Sequence, residues 1–258
     1  DGTLSLSNIE KIDSETFYNC SKLSGKLTLP NTLKYINELA FFRCRGFNES
    51  LTIPDTVTTI STYAFFQCTG FNGNLILSKN ITTIQNGAFC ECSGFIGTLS
   101  IQNSMTVISK FSFYLCSGFS GLSISNSITA IQNNAFSKCS GFKGELKIPD
   151  KILEIGENAF EGCLGFIGKI EFPYSITSIG RNAFSGCSNL IGTLTIPTTI
   201  KTIRKGTFYN CSGFTKLSIN PESIESIESY AFYGCSGFTD QLTLPSKISS
   251  IEQYTFTN

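Results

Sequence analysis

Hydrophobic residues return at fixed positions every 24 residues along this chain, with polar residues between them. Residues 51–69, read LTIPDTVTTISTYAFFQCT, show one unit, and a shift of 24 places Leu75 on Leu51 and Phe89 on Phe65. Three columns keep this period with a single step of 23: Ile12, Ile36, Ile60, Ile84, Ile108, Ile131, Ile155, Ile179, Ile203, Ile227, Ile251; Phe17, Phe41, Phe65, Phe89, Phe113, Phe136, Phe160, Phe184, Phe208, Phe232, Phe256; and Cys20, Cys44, Cys68, Cys92, Cys116, Cys139, Cys163, Cys187, Cys211, Cys235. A fixed period of this length predicts a solenoid in which each unit forms one coil.

The spacing inside one unit predicts two extended segments. Leu51 and Ile53 alternate with polar residues, which indicates a short strand with both side chains on one face. Pro54 then ends this strand. Val57 and Ile60 form a second inward pair, which predicts either an extended arm or a second short strand.

The rest of the unit predicts a tight turn. Ala64–Phe65, Cys68 and Phe71 are spaced by three, which fits a helical or 3₁₀ turn, and no segment supports a long helix. One coil buries its apolar residues only against its neighbours, so the Phe column is expected at the centre of the core. Truncation of one buried Phe to Ala is expected to cost about 3–5 kcal/mol.

The repeat predicts one elongated domain over residues 1–258, built from about eleven units of 23–24 residues. Residues 1–4 align with residues 24–27, and the chain closes at Phe256–Asn258, before the Cys position of that unit. Both ends are therefore cut within a repeat. We interpret the chain as an excerpt of a longer repeat protein, or as a rod whose ends partners cover.

These columns resemble the BspA-like class of leucine-rich repeats, whose units read roughly L-x-I-P-x-x-V-x-x-I-G-x-x-A-F-x-x-C-x-x-L. One unit matches this pattern nearly position by position: Leu146, Ile148, Pro149, Ile152, Ile155, Gly156, Ala159, Phe160, Cys163 and Phe166. The chain departs from it where Phe usually replaces the Leu after Cys. The resemblance implies a right-handed solenoid with a parallel β-sheet on one face, turns or 3₁₀ elements and extended arms elsewhere, and little α-helix. It also implies surface proteins of bacteria and protists that adhere to hosts or matrix.

Composition and charge disfavour several function classes. The 19 basic and 19 acidic residues give no net charge and form no run, so no nucleic-acid or anionic-membrane partner is implied. No apolar run is long enough to predict a membrane span. The chain has no His, the usual general base, and its carboxylates are scattered. We therefore expect no catalytic, cofactor or metal site.

Ten of the eleven cysteines form the column given above, and they are expected to be a ladder of buried, reduced thiols. The alternative is a disulfide framework, but the side chains of one column point the same way. Cys90 follows Phe89 and is expected to point outward, either as a modestly reactive thiol or as a plain surface residue. Cys90 and Cys92 lack the spacing of a zinc pair.

The outward positions around each Leu-x-Ile strand vary in charge while the core columns do not, which predicts a binding face. Its candidate residues are Lys26, Thr28, Thr52, Asn74, Ile76, Glu145, Lys147, Lys169, Glu171, Thr195 and Lys216. The four charges in the middle are either a binding hot spot or a solvated lattice of internal salt bridges. The face carries no aromatic anchor, so individual contacts are expected to be weak and to add over repeats.

The favoured function is a non-enzymatic protein–protein interaction or adhesion repeat protein at the cell surface or outside the cell. The alternative is a structural scaffold subunit in a large intracellular, for example cytoskeletal, assembly. The expected partners are other proteins: host proteins, matrix proteins or assembly neighbours. Four N-x-S/T sequons, at Asn19, Asn48, Asn80 and Asn210, leave open whether the chain is glycosylated.

Overall fold

The computed structural model describes residues 2–258, which form short parallel strands joined by turns, with no helix in that range. The strands are β1 (Thr3–Ser5), β2 (Lys11–Ile12), β3 (Ser24–Thr28), β4 (Tyr35–Ile36), β5 (Leu51–Thr52), β6 (Thr59–Ile60), β7 (Leu75–Ile76), β8 (Thr83–Ile84), β9 (Thr98–Ser100), β10 (Val107–Ile108), β11 (Gly121–Ser123), β12 (Ala130–Ile131), β13 (Glu154–Ile155), β14 (Ser178–Ile179), β15 (Gly192–Ile196), β16 (Thr202–Ile203), β17 (Phe214–Ile219) and β18 (Ser226–Ile227).

The strands fall into two families, and every pairing is parallel between successive coils. The face strands carry the Leu-x-Ile pattern and pair in twos: β1 with β3, β5 with β7, β9 with β11, and β15 with β17. The arm strands end on the Ile column and form longer sheets: β2-β4-β6-β8, β10-β12-β13-β14 and β16-β18. Both families hold residues one repeat apart in register, for example Ile12 with Ile36. The predicted solenoid is confirmed.

Each coil closes through a run of turns in which alternate amides bond to different coils. The N–H of Phe65 donates to the carbonyl oxygen of Ala88 in the next coil at 2.8 Å. The N–H of Phe66 donates to Tyr63 within its own coil at 3.1 Å. Tyr63 and Gln67 take left-handed φ values of 52° and 55°, and both donate to the next coil. The predicted spacing of three is thus a run of turns with left-handed residues, not a continuous helix.

The Phe column lies at the centre of the core, as the sequence predicts. Phe160 is fully buried and stacks on Phe136 and Phe184, with ring centroids 5.5 Å apart in both pairs. Phe166 meets its edge at 6.2 Å. Stacked and edge-on rings at these distances add to the free energy gained by burying their area. Phe17, in the first coil, is only partly buried because it has a stacking partner on one side alone.

Candidate binding face

The eleven candidate face residues are all exposed in the structure. Thr52 shows why: its neighbours Leu51 and Ile53 are buried, so the alternation of a strand turns Thr52 outward. Most of the others lie in or just before face strands β3, β7, β15 and β17. Glu145, Lys147, Lys169 and Glu171 lie in no strand.

The four central charges form no ion pair with any residue in the range 2–258. Glu145 and Lys169 are one repeat apart, as are Lys147 and Glu171, so opposite charges follow each other along both columns. Elsewhere such pairs do form: Lys34 Nζ lies 3.0 Å from Glu10 Oε2 in the preceding coil. The four charges therefore face solvent, as the alternative of a solvated face expects, but without the internal salt bridges of that alternative.

Two successive coils lack a face strand. We call them the Lys147 coil, with face residues 145–148, and the Glu171 coil, with face residues 169–172. None of these eight residues takes part in a backbone–backbone hydrogen bond with another residue in the described range. The equivalent amides of Leu51 and Ile53 donate to Asn74 and Ile76 at 2.9 and 2.8 Å. The sequence predicted a strand in both coils, and this prediction is wrong.

The same two coils remain joined on their turn side. The N–H of Phe160 donates to Ala183 and the N–H of Gly162 donates to Ser185, each at 2.8 Å. On the arm side, Ile155 pairs with Ile179. On the face side, the N–H of Ile167 donates to the carbonyl oxygen of Gly144 at 2.9 Å, so the stretch without backbone bonds between the coils is confined to the face residues themselves.

Two grooves occupy the separations. The first groove, of about 770 Å³, lies over the Lys147 and Glu171 coils and reaches Asn126 in the coil before them and Ile191 in the coil after them. The second groove, of about 440 Å³, lies between the Glu171 coil and β15. In the first, Leu146, Ile148 and Phe172 supply apolar surface, and the four charges stand beside them. Residues lining it are Asn126, Glu145, Leu146, Lys147, Ile148, Asp150, Gly168, Lys169, Glu171, Phe172, Pro173 and Ile191.

Phe172 departs from the residue type of its column. Its position holds Ile or Leu in the other units, for example Ile148 and Ile196. The ring stays partly exposed and meets the edges of Phe184 at 5.5 Å and Phe208 at 6.4 Å. The ring therefore packs within its own coil and against the coil that follows it.

The face also has an aromatic residue that the sequence interpretation missed. Tyr174 follows Pro173, lines the second groove and is 85% exposed. The expectation of a face without aromatic anchors is therefore wrong at this place. The pattern E-F-P-Y breaks the usual run of small polar residues after the strand, which was the available signal.

The protein-family model described as a BspA type leucine rich repeat region matches residues 3–120, 46–167 and 143–258. The chain belongs to the BspA-type leucine-rich repeat family. No curated protein matches the chain.

Solved structures share the fold of this BspA-type chain at low sequence identity. A leucine rich cell surface protein from Faecalibacterium prausnitzii is 21% identical, with a TM-score of 0.52 over 99% of this chain and 84% of that one. The T. pallidum leucine rich repeat protein is 20% identical, with a TM-score of 0.53 over 75% and 79% of the chains. A leucine-rich repeat protein from Bacteroides ovatus is 21% identical, with a TM-score of 0.50 over 91% and 76%.

The cysteine column of this BspA-type chain is a ladder of hydrogen-bond donors. All eleven cysteines are free thiols, and only Cys20 of the column is not buried. Each of the other nine donates its S–H to the carbonyl oxygen of the Phe in the preceding coil, at 2.9–3.4 Å. Burial raises the pKa of Cys187 to about 12. The Cys187 thiol is therefore protonated at neutral pH and is a poor nucleophile.

Cys90 is buried, with 5% of its surface exposed, so the prediction of an outward thiol is wrong. Cys90 lies in the column of residues that directly follow the core Phe, and Phe66 and Tyr114 hold the same position in the coils on either side. These two large side chains cover the small Cys90 side chain. Burial, followed by the charge of Glu91, raises the pKa of Cys90 to about 12. A surface thiol reaction at this position is not supported.

The same column forms an aromatic stack on the outer edge of the BspA-type turns. Tyr18 stacks on Phe42 at 4.7 Å, and Phe42 stacks on Phe66 at 4.8 Å. The guanidinium of Arg43 lies over the Phe42 ring at 5.1 Å. The sequence signal was the aromatic residue that follows the core Phe in several units.

Two further features concern the described residues, 2–258, alone. They contain no cluster of three or more acidic or cysteine side chains arranged to hold a metal ion. No helix in this range has the length and apolar character that crossing a bilayer requires.

Proposed function

We propose that this chain is a non-enzymatic, adhesin-type repeat protein of a cell surface or the extracellular space, which holds another protein on its face. The observation that carries the proposal is the first groove, where four charges without ion pairs flank an apolar floor. Side-chain charges without an internal ion pair can bind complementary charges on a partner protein, and the apolar surface between them contributes to the affinity. The F. prausnitzii neighbour is described as a cell surface protein, which supports the location.

Binding is tested with an array of extracellular and matrix proteins and the purified chain. The double reversal Lys147→Glu with Lys169→Glu changes the groove, and Lys22→Glu with Lys110→Glu, at exposed lysines outside the candidate face, is the matched control. We expect the groove variant to lower binding of at least one array protein about tenfold or more, since interfacial charge contacts have this effect. Array binding that is absent, or equal for both variants, contradicts the proposal.

One observation favours the second candidate, a scaffold subunit inside the cell. All eleven cysteines are free, whereas disulfides are usual in proteins of oxidising compartments. Peptide mass mapping of the native protein without reduction separates the candidates. Asn19, Asn48, Asn80 and Asn210 are all exposed, so a glycan on any of them indicates the secretory route. Unmodified asparagines, together with co-purification in a large intracellular complex, favour the scaffold.

A further inference from the structure

The second groove brings together two aromatic side chains from one coil. Phe172 and Tyr174 both line it, on either side of Pro173 in the sequence. Other coils place a polar residue at the Tyr174 position, for example Asp55 and Asp150. Tyr174 is 85% exposed, and its ring makes no aromatic or cation–π contact with another residue in the range 2–258. The faces of this ring are therefore open to a ligand.

The backbone around Tyr174 is held in place. Pro173 has a restricted φ, and its carbonyl oxygen accepts the N–H of Ile176 at 3.3 Å, which closes a four-residue turn. Ser175 Oγ donates to the carbonyl oxygen of Ile152 in the preceding coil at 2.6 Å. Because the turn is already fixed, a ligand that contacts the Tyr174 ring orders little further backbone when it binds.

The groove also holds four polar side chains that the chain does not use internally. Thr193 and Thr195 point outward from β15, because Leu194 between them is buried. Lys169 and Glu171 line the groove from the preceding coil. None of the four side chains makes a hydrogen bond or ion pair with another described residue. They offer two hydroxyls that donate and accept, one ammonium that donates and one carboxylate that accepts.

The coils on either side of the second groove are joined at both of its ends. The N–H of Ile191 donates to the carbonyl oxygen of Gly168 at 2.8 Å, and the hydroxyl of Thr199 donates to the carbonyl oxygen of Ile176. The groove is therefore a depression between side chains, and a ligand in it meets side chains. Its volume of about 440 Å³ lies in the range of small-ligand sites.

Beyond the protein contact proposed above, we propose that the second groove binds a neutral saccharide, with one pyranose ring stacked on Tyr174. A pyranose has faces of C–H groups and a rim of hydroxyls. The C–H groups carry partial positive charge and pack on the negative face of an aromatic ring. Each rim hydroxyl donates and accepts, so Thr193 and Thr195 bind it in either sense, while Lys169 donates and Glu171 accepts.

The same side chains disfavour other ligands. Lys169 and Glu171 cancel in charge, so the groove does not attract a phosphate, sulfate or carboxylate group. An apolar peptide side chain would cover the rings of Phe172 and Tyr174. It would also remove water from the polar side chains beside them without replacing the lost hydrogen bonds, which costs free energy.

A printed array of neutral, sialylated and sulfated oligosaccharides tests the proposal on the intact chain. The neutral oligosaccharide that binds is then titrated against variants. We expect Tyr174→Ala to lower its affinity about tenfold or more, because the stacking surface is lost. Tyr174→Phe keeps the ring and should bind within about twofold of the wild type, since the ring face carries the contact. Tyr35→Ala, at an exposed tyrosine of β4, is the control and should bind as the wild type does.

A second pair of variants tests the polar wall. Thr195→Val removes one hydroxyl and keeps the branched shape, and we expect affinity to fall about two- to tenfold, the effect of one hydrogen bond. Thr52→Val makes the same change at the equivalent position of β5 and should have no effect. NMR during the titration should shift the amide signals of Thr193 and Thr195 and leave that of Thr52 in place.

Three outcomes overturn the proposal: no oligosaccharide is retained, only sialylated or sulfated ones are retained, or Tyr174→Ala binds as tightly as the wild type. A display library of random peptides is screened in parallel. Peptides that require Tyr174, with no oligosaccharide bound, would make the groove a peptide site instead. If an array protein binds but no oligosaccharide does, the protein-binding function stands and the saccharide site fails.

Discussion

Cys163 donates a hydrogen bond from Sγ to the carbonyl oxygen of Phe136, 3.1 Å away in the preceding coil. The same oxygen accepts the N–H of Cys139 within its own coil, also at 3.1 Å. Both lone pairs of a buried carbonyl are thus satisfied, one by the local turn and one by the next coil. The thiol column joins successive coils as well as filling the core.

Removal of one thiol tests this role. Cys163→Ala leaves the second lone pair of the Phe136 carbonyl without a donor, and we expect a loss of about 1–3 kcal/mol in the free energy of unfolding. Cys163→Ser keeps a donor and should lose less. Cys90→Ala is the control, because Cys90 is buried and its thiol makes no hydrogen bond with the described residues. Denaturant titration measures all three, and a Ser variant less stable than the Ala variant would show that apolar character matters more than the donor.

Alkaline pH should destabilise the fold. Burial raises the pKa of Cys187 from 9.0 to about 12, so above pH 9 the unfolded chain releases a proton that the folded chain retains. The stabilising contribution is complete below pH 9 and is lost as the pH rises toward 12. One such thiol contributes a slope of about 1.4 kcal/mol per pH unit in that window.

The measurement compares unfolding free energies between pH 8 and pH 11 for the wild type and Cys187→Ala. Lys and Tyr residues titrate in both proteins, so the difference in slope reports the thiol. Equal slopes would mean that this thiol ionises in the folded state as easily as in the unfolded one.

Two neighbouring glycines should respond differently to the same change. A Cβ at Gly165 would overlap the carbonyl oxygen of Phe142 in the preceding coil, so Gly165→Ala forces the coils apart. We expect a loss of about 3 kcal/mol. Gly162 has a left-handed φ of 69°, but its Cβ would meet only Lys138, at 3.5 Å or more. Gly162→Ala should therefore cost about 1 kcal/mol, the conformational part alone. Thermal melting of both variants checks the order, and a reversed order contradicts the close approach of the coils.

Hydrogen exchange should separate paired from unpaired face amides. The amides of Leu51 and Ile53 are bonded to the next coil, whereas those of Leu146 and Ile148 are not. We expect the latter to exchange about a hundredfold faster or more, because opening free energies range from near zero for unbonded amides to the global value. Amide-resolved NMR in D₂O measures the four rates. Similar protection at all four would show that the coils pair throughout in solution.

The core could be predicted from the sequence because each inward position repeats. Phe160 and Cys163 take the environment of every other member of their columns, so a single spacing argument places them all. The burial of Cys90 was not predicted, because Tyr18 and Phe42 occupy the same position in other coils. Whether a small residue at this position is buried depends on the side chains one repeat away. The grooves were not predictable from alternation, since Ile170-Glu171-Phe172 keeps the strand pattern. Whether the backbone groups of successive face segments come within hydrogen-bonding distance depends on the spacing of the coils, which a pattern of polar and apolar positions does not encode.

The unbroken turn side has a mechanical consequence. The amide of each core Phe bonds to the next coil at every junction, from Phe17 with Ala40 to Phe232 with Thr255, including the junctions where the face is separated. A tensile load along the rod is therefore borne at every junction by these amides, and between the Lys147 and Glu171 coils it is shared with the pairing of Ile155 with Ile179 and with the bond from the N–H of Ile167 to the carbonyl oxygen of Gly144.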